Sequence, residues 1–310
     1  AQERGPPPEQ PGTGLGRGTT SRPAPEGGPD VATTLTPRRS TATAPLPGGS
    51  PTSAGVGNVL RSEWTKIRSV RSTYWTLVVA VAATIGLGAL ISWAFVTNLS
   101  HVSPADLANF DAASFSLNGI ALAQLAIGVL GVLVISSEYG TGMIRSTFAA
   151  VPQRRVVLAA KAAVFGAVAL AVGLVSSFVA FFVGQAVLST HSLQVSISSP
   201  GALRAVIGGG LYLAVLGLLA LGLGGILRRT AGAIAVLFGL VLVLPPLAGA
   251  LPQNWRNAIS PYLPSTAGSQ IYAAHHGAHV LAPWAGFGVF CAYAAVALVV
   301  AGVLVTRRGA

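Results

Sequence analysis

The chain has 310 residues, of which 52% are apolar and only 9% charged, against about 25% charged in an ordinary soluble domain, so it cannot cover a water-soluble globule. Its net charge is +11, but the basic residues beyond the N-terminal tail flank apolar runs and form no aromatic-studded face. That pattern excludes nucleic-acid recognition and points to anchoring at a membrane. Cys291 is the only cysteine, which excludes an intrachain disulfide and a CxxC metal site.

Residues 1–56 are rich in Pro, Gly, Thr and Ser without apolar periodicity, and are expected to be a disordered, cytoplasmic tail. They carry no apolar core of a signal peptide before the first long hydrophobic run. Residues 57–310 form the expected membrane domain. Its first element is a basic amphipathic helix N-capped by Asn58, with Leu60, Trp64, Ile67 and Tyr74 near one face and Arg61, Lys66, Arg68 and Arg71 mostly off it. A tryptophan-bearing basic helix just before a span is expected to lie in the headgroup plane. It serves either as a mere anchor or also as a contact for a cytoplasmic partner.

Six apolar segments follow, at about 75–97, 117–136, 160–188, 206–227, 232–249 and 282–305, each long enough for ~30 Å of hydrocarbon. The expected class is therefore all-α, a polytopic membrane protein with six transmembrane helices. Twelve basic residues fall on one side of these spans: Arg61, Lys66, Arg68, Arg71, Arg145, Arg154, Arg155, Lys161, Arg228, Arg229, Arg307 and Arg308. Arg204 and Arg256 fall on the other, together with Asp106 and Asp111. Both termini are expected to be cytoplasmic.

The spans carry no Asp, Glu, Lys, Arg or His in their middles, which argues against ion-coupled transport. Asn118, Gln124 and Gln185 are candidate lining of a mostly apolar pathway, with bonding to neighbouring helices as the commoner alternative. The glycines of span four, Gly208 to Gly210, Gly217, Gly222, Gly224 and Gly225, are expected to permit close helix packing, and Pro245-Pro246 to break or kink span five. Between spans five and six, Thr266 to Ala274 is too short to cross and is expected to be re-entrant or interfacial. His275, His276 and His279 stand at metal-ligand spacing, but no carboxylate lies nearby in sequence to complete a site, and no metal is expected.

Between spans two and three lies a basic, partly apolar island, Ser136 to Arg155. Glu138 and Tyr139 stand where span two ends, and Gly140 and Gly142 permit a turn. Thr141 is placed to cap a short helix, Gly142 to Val151, with Ile144, Phe148 and Val151 at i, i+4 and i+7, stopped by Pro152. Such a helix is not stable alone in water and needs lipid or a partner. Arg154, Arg155 and Lys161 are expected to anchor the entry of span three.

The segment SEWTKIRSVRSTYW (Ser62 to Trp75), EYGTGMIR (Glu138 to Arg145) and AAVPQRR (Ala149 to Arg155) together resemble ABC-2 type permease subunits of ABC transporters, of the actinobacterial kind. ISPYLPSTAG (Ile259 to Gly268) resembles the same family's outer-loop motif. The resemblance covers about 58–308. It implies a permease that pairs with a separate ATP-binding subunit, and with a second permease copy or a sister chain, the island being the coupling helix. ATPase docking then falls to Glu138, Tyr139, Thr141, Ile144, Arg145, Phe148 and Val151, beside an interfacial helix presenting Trp64, Lys66, Ile67, Arg68 and Arg71 to membrane lipid. Glu138 matches the family's glutamate and is expected to meet a basic group on the ATPase or on the entry helix.

The residues themselves agree with that division. Neither lysine, Lys66 or Lys161, ends a G-x-x-x-x-G-K-[ST] loop, so the chain is not expected to be an enzyme and needs no cofactor of its own, with ATP and Mg on the partner. The expected function is export of an apolar or amphipathic compound across a bacterial plasma membrane. The alternative is a non-transport anchor that docks a cytoplasmic factor through the same island.

Overall fold

A computed structural model describes residues 55–104, 107, 110–143, 153–274 and 279–307. The regular structure among the described residues is entirely helical, without a strand. Helices α1 (Val56–Ser69), α2 (Arg71–Thr97), α3 (Ala112–Ser116), α4 (Ile120–Gly140), α5 (Arg154–Leu188) and α6 (Ala202–Leu227) are followed by α7 (Thr230–Phe238) and α8 (Leu244–Gly249). Then come α9 (Gln253–Ile259), α10 (Pro264–Ser269) and α11 (Pro283–Arg307). Six helices are long and apolar enough to cross a membrane: α2, α4, α5, α6, the α7–α8 unit and α11. The protein is an all-α, multi-pass membrane protein.

Helix α6 is the centre, packed against α4, α5 and α11, while α2 packs on α5 and α4. Apolar helices in lipid gain little from hiding apolar surface, so close van der Waals approach must hold them together, and small residues allow it. The glycines of α6 are used in this way. A Cβ at Gly210 would strike Leu174 of α5, one at Gly224 would strike Ile135 of α4, and one at Gly222 would strike Ala297 of α11. Around them Tyr212, Phe290, Ile120, Ile127 and Phe181 fill the core. The outer faces are apolar as well, with Val79, Val175, Phe182, Val296 and Val299 exposed, which suits lipid rather than water. Trp75 and Trp93, near the two ends of α2, are exposed as amphipathic rings at two membrane interfaces would be.

The bundle has two distinct ends. At the basic end, Arg154 of α5 donates to the Val305 carbonyl (3.2 Å) and Arg228, just past α6, donates to that of Leu304 (3.2 Å). The last carbonyls of α11, which have no partner within their own helix, are thereby capped by cations. At the other end Arg204 donates to the carbonyls of Gln270 and Ala273, tying the α10 connection to the start of α6. Asp111 caps α3 by accepting from the backbone N–H groups of Ala113 and Ser114.

Several expectations are corrected. Helix α1 begins after Gly55, so Asn58 lies in its first turn, and the Asn58 N–H donates to the Gly55 carbonyl. Extended Val70 separates α1 from α2, so Tyr74 belongs to the next helix, and Trp64 is exposed while Val59 and Glu63 face inward. Span five does not break at its prolines. A π-type turn over Gly239–Val243 precedes Pro245-Pro246, and the helical backbone runs on through them to Gly249. Between spans five and six, α9 and α10 form, with Gly268 pressed beneath Phe290 and Tyr212. His275 and His276 lie outside the described residues, as do residues 1–54 of the tail; among the described residues no metal-ligating cluster occurs.

Candidate functional site

Outside the tail the chain has two glutamates and two lysines, and all four meet at the basic end. Helix α1 supplies Glu63 and Lys66, three residues apart and hence on one face, with Val59 one turn earlier on the same stripe. Val59 packs on Val157 and Ala160 of α5, which sets α1 against that helix and turns Glu63 inward. Helix α4 supplies Glu138 from its last turn, and α5 supplies Lys161. The 35-residue length of α5 explains why a lysine is tolerated there. Lys161 stands about 40 Å of helix from Leu188 at ~1.5 Å per residue, beyond the ~30 Å of hydrocarbon.

The four side chains close a ring. Lys66 Nζ lies 2.7 Å from Glu63 Oε1 and 3.1 Å from Glu138 Oε1, and Lys161 Nζ lies 2.5 Å from Glu63 Oε2 and 2.9 Å from Glu138 Oε1. Glu63, Glu138 and Lys161 are buried, while the Lys66 side chain keeps 35% of its surface. Two cations against two anions leave the buried group neutral, the condition for so many charges to sit out of water. Glu138 Oε2 is the one carboxylate oxygen of the ring buried without a hydrogen-bond partner among the described residues.

Burial alone would push the Glu63 carboxyl up. Lys161 and Lys66 more than offset this and hold it below the ordinary value of 4.5. Burial likewise pushes the Lys66 ammonium down, and Glu63 and Glu138 outweigh it, so it titrates above 10.5. The depressed acid stabilises α1 docking above its unfolded value, and this is lost as pH falls through the folded one. The raised base contributes below its unfolded value, and this is lost as pH rises through the folded one. The protection of α1 against hydrogen exchange, taken relative to the intrinsic rate at each pH, is therefore expected to stay flat across neutral pH, falling only in acid below the ordinary glutamate range or in strong alkali. A transition near neutrality would contradict it.

Neighbouring residues on a helix point about 100° apart, so Tyr139 turns away from the ring. Its face lies under the Arg228 guanidinium, 5.0 Å from centroid to Cζ, and Arg228 in turn holds α11. Thr141 ends α4, its hydroxyl donating to the Ser137 carbonyl, and Gly142 takes a left-handed φ of 71°. Ile144, Arg145, Phe148 and Val151, with the short helix expected around them, lie outside the described residues. On α1, Lys66 and Ile67 face inward while Trp64 and Arg68 are exposed, as is Arg71 at the start of α2.

Lys161 is corrected from an anchor at the entry of span three to a buried ion-pair partner, because α5 begins at Arg154, two turns before it. Glu63, the residue sequence reasoning passed over, stood among Arg61, Trp64 and Arg68 on a helix read as basic, amphipathic and lying in the headgroup plane. The available signal was scarcity: an acid three residues before one of only two lysines.

The amides proposed for a pathway each make hydrogen bonds within the chain. Gln124 accepts from the buried Tyr212 hydroxyl at 2.6 Å. Gln185 donates to the Ala112 carbonyl and Ser116 hydroxyl and accepts from the Val195 N–H, tying α5 to α3 and to the following loop. Asn118 is exposed at the approach to α4 and donates to the Phe115 carbonyl.

Residues 59–247 match the family described as ABC-2 family transporter protein. No curated protein matches the chain.

Proposed function

The chain belongs to the ABC-2 family of transporter proteins, the membrane component of systems that generally work with an ATP-binding subunit, and on that premise we propose that it is the permease of an ATP-driven exporter of an apolar or amphipathic compound. ATP and Mg act on the partner subunit, and two permeases, identical or sister chains, complete the path. The termini and the segment 138–155 face the cytoplasm of a bacterial cell, α1 lies against lipid headgroups, and α9 and α10 form an interfacial element on the outer side.

The observation that carries this reading is how the ends of that segment are held. The chain enters it from Glu138 and Tyr139 and leaves it at Arg154, two turns before Lys161. Glu138 and Lys161 are clamped to each other and to α1; Tyr139 and Arg154 lead to Arg228 and α11. A load applied to the segment is therefore delivered to α1 and to spans two, three and six together, which is what a coupling element has to do. Docking itself falls to Ile144, Phe148 and Val151, with Arg145 as the charged contact and Tyr139 and Thr141 at the margin.

The test is co-purification of the tagged chain from native membranes. An ATP-binding subunit should be recovered with it, and Phe148→Asp or Arg145→Glu should lose that subunit while membrane insertion stays normal. Recovery of no ATPase under conditions that preserve other transporter complexes, or full retention in both variants, would refute the docking role.

A further inference from the structure

Beside the charge ring, α1, the start of α2 and the end of α4 enclose a cleft of about 340 Å³, within the ~300–1,000 Å³ range of small-molecule sites. It is polar at one end, where Lys66, Ser69, Ser72 and Thr73 line it, and apolar farther along α4, where Leu130, Leu133 and Val134 do. We propose that this cleft binds one anionic phospholipid, its phosphate held at the N-terminus of α2 and an acyl chain lying along α4.

The first turn of α2 is the anion-binding part. Extended Val70 stands ahead of this 27-residue helix without a side-chain cap, and no acid lies in the first turn. The first backbone bonds run from Thr73 and Tyr74 to the Val70 carbonyl, so the N–H groups of Arg71 and Ser72 have no acceptor within the helix. A buried side chain points the same way. Thr73 keeps only 7% of its surface and lines the cleft, yet its hydroxyl bonds to nothing among the described residues. The hydroxyls of Ser69, Thr76 and Ser137, on the same walls, are spent on carbonyls of their own helices. An unspent hydroxyl and two unspent amides, with the Ser72 hydroxyl and the third N–H of Lys66, make a donor set for phosphate oxygens.

Charge decides between an anion and a cation. The ring is neutral, Glu63 is matched by both lysines, and Glu138 Oε2 is sealed from the cleft. The surplus is carried by Arg68 and Arg71, which follow the lining residues Ile67 and Val70, are exposed and make no ion pair among the described residues. The apolar end decides between a lipid and a free phosphate, because inorganic phosphate would leave Leu130, Leu133 and Val134 uncovered and an acyl chain covers them.

This deepens, and rests on, the reading that the basic end lies at lipid headgroups; it does not rest on transport. The full chain is kept in dodecyl maltoside and labelled by light with phosphatidylglycerol bearing a diazirine in one acyl chain. Labelled peptides should concentrate on 67–76 and 130–137, and unlabelled phosphatidylglycerol should suppress them. Phosphatidylcholine, whose added cation meets Arg68 and Arg71, should compete about fivefold or more less well, the worth of one basic residue at an anionic lipid. Diacylglycerol or inorganic phosphate at the same concentration should leave the labelling in place. Thr73→Val, which keeps the shape and removes the unspent hydroxyl, should weaken labelling about fivefold, and Thr73→Ser should label as the parent chain does. Leu133→Trp, at a partly exposed lining position outside the ring, should remove labelling without lowering the unfolding temperature. Even labelling along the lipid-facing spans, equal competition by phosphatidylcholine or diacylglycerol, suppression by inorganic phosphate, or undiminished labelling in folded Thr73→Val and Leu133→Trp would overturn the proposal. Labels on the other spans with none on 67–76 would sink the headgroup reading as well, and a chain that labels as expected yet recovers no ATPase would sink the transport reading alone.

Discussion

Lys161→Met is expected to be the most damaging single change at the basic end. It leaves Glu63 and Glu138 buried with only the half-exposed Lys66 between them, and removing one partner of a buried ion pair costs about 3–5 kcal/mol. The loss should appear as a fall in unfolding temperature and as faster hydrogen exchange in α1, whose remaining holds are apolar: Val59 and Leu60 with Val157 and Ala160, and Ile67 with the cluster of Leu130, Leu158 and Phe165. Lys66→Met removes the same number of ion pairs but from a side chain 35% exposed, where water screens the charges left behind, so its effect should be distinctly smaller. Adding Glu63→Gln to Lys161→Met removes the surplus anion and should recover part of the stability. Equal losses for the two lysines, or a further loss in the double variant, would mean that packing rather than charge holds α1.

The ring also shows where sequence reading reached its limit. Span positions follow from runs of apolar residues, a local property, and all six were legible within a few residues, the largest error being the early start of α5 at Arg154. The importance of Glu138 was legible from its match to the family's glutamate at the end of span two. Its partners were only half legible: a basic group on the entry helix was one of two options, and that option is what the fold contains in Lys66. Lys161 and Glu63 were invisible as partners because a 98-residue separation in sequence carries no local signature. The π-type turn before Pro245 was likewise illegible, since proline predicts a defect without saying whether the helix breaks or widens to absorb it. Arg154 and Arg228 read as lipid anchors from their flanking positions, yet each also caps the end of α11. Hydropathy counts charges at membrane edges but does not distinguish one spent on lipid from one spent on a neighbouring helix.

Away from the ring, α2 is held by contact so close that one methyl group should be felt. A Cβ on Gly119, the residue preceding α4, would run into the backbone carbonyl of Thr84, and one on Gly88 would run into that of Ser116. Both collisions are with backbone, which cannot turn aside as a side chain can, so Gly119→Ala and Gly88→Ala should each cost at least the ~1–3 kcal/mol typical of overpacking. Gly86, two residues from Gly88 on the same helix, has open space within 4 Å of the point where a methyl group would stand. Gly86→Ala should therefore be neutral or slightly stabilising, through the better helix propensity of alanine. Because Gly88 and Gly119 both set how closely α2 approaches the turn from α3 into α4, displacement by the first alanine opens room for the second, and the double variant should lose less than the sum. Thermal unfolding of the four variants checks this, and a Gly86→Ala loss as large as that of Gly88→Ala would refute it. Hydrogen exchange separates the two attachments of α2. The glycine variants should loosen the contact of α2 with α3 and α4 while α1 keeps its protection, whereas Lys161→Met should loosen α1 and leave the glycine contacts in place. If every variant loosened both, the two attachments would be one cooperative unit, and a load at the segment after α4 would reach the far end of span one directly.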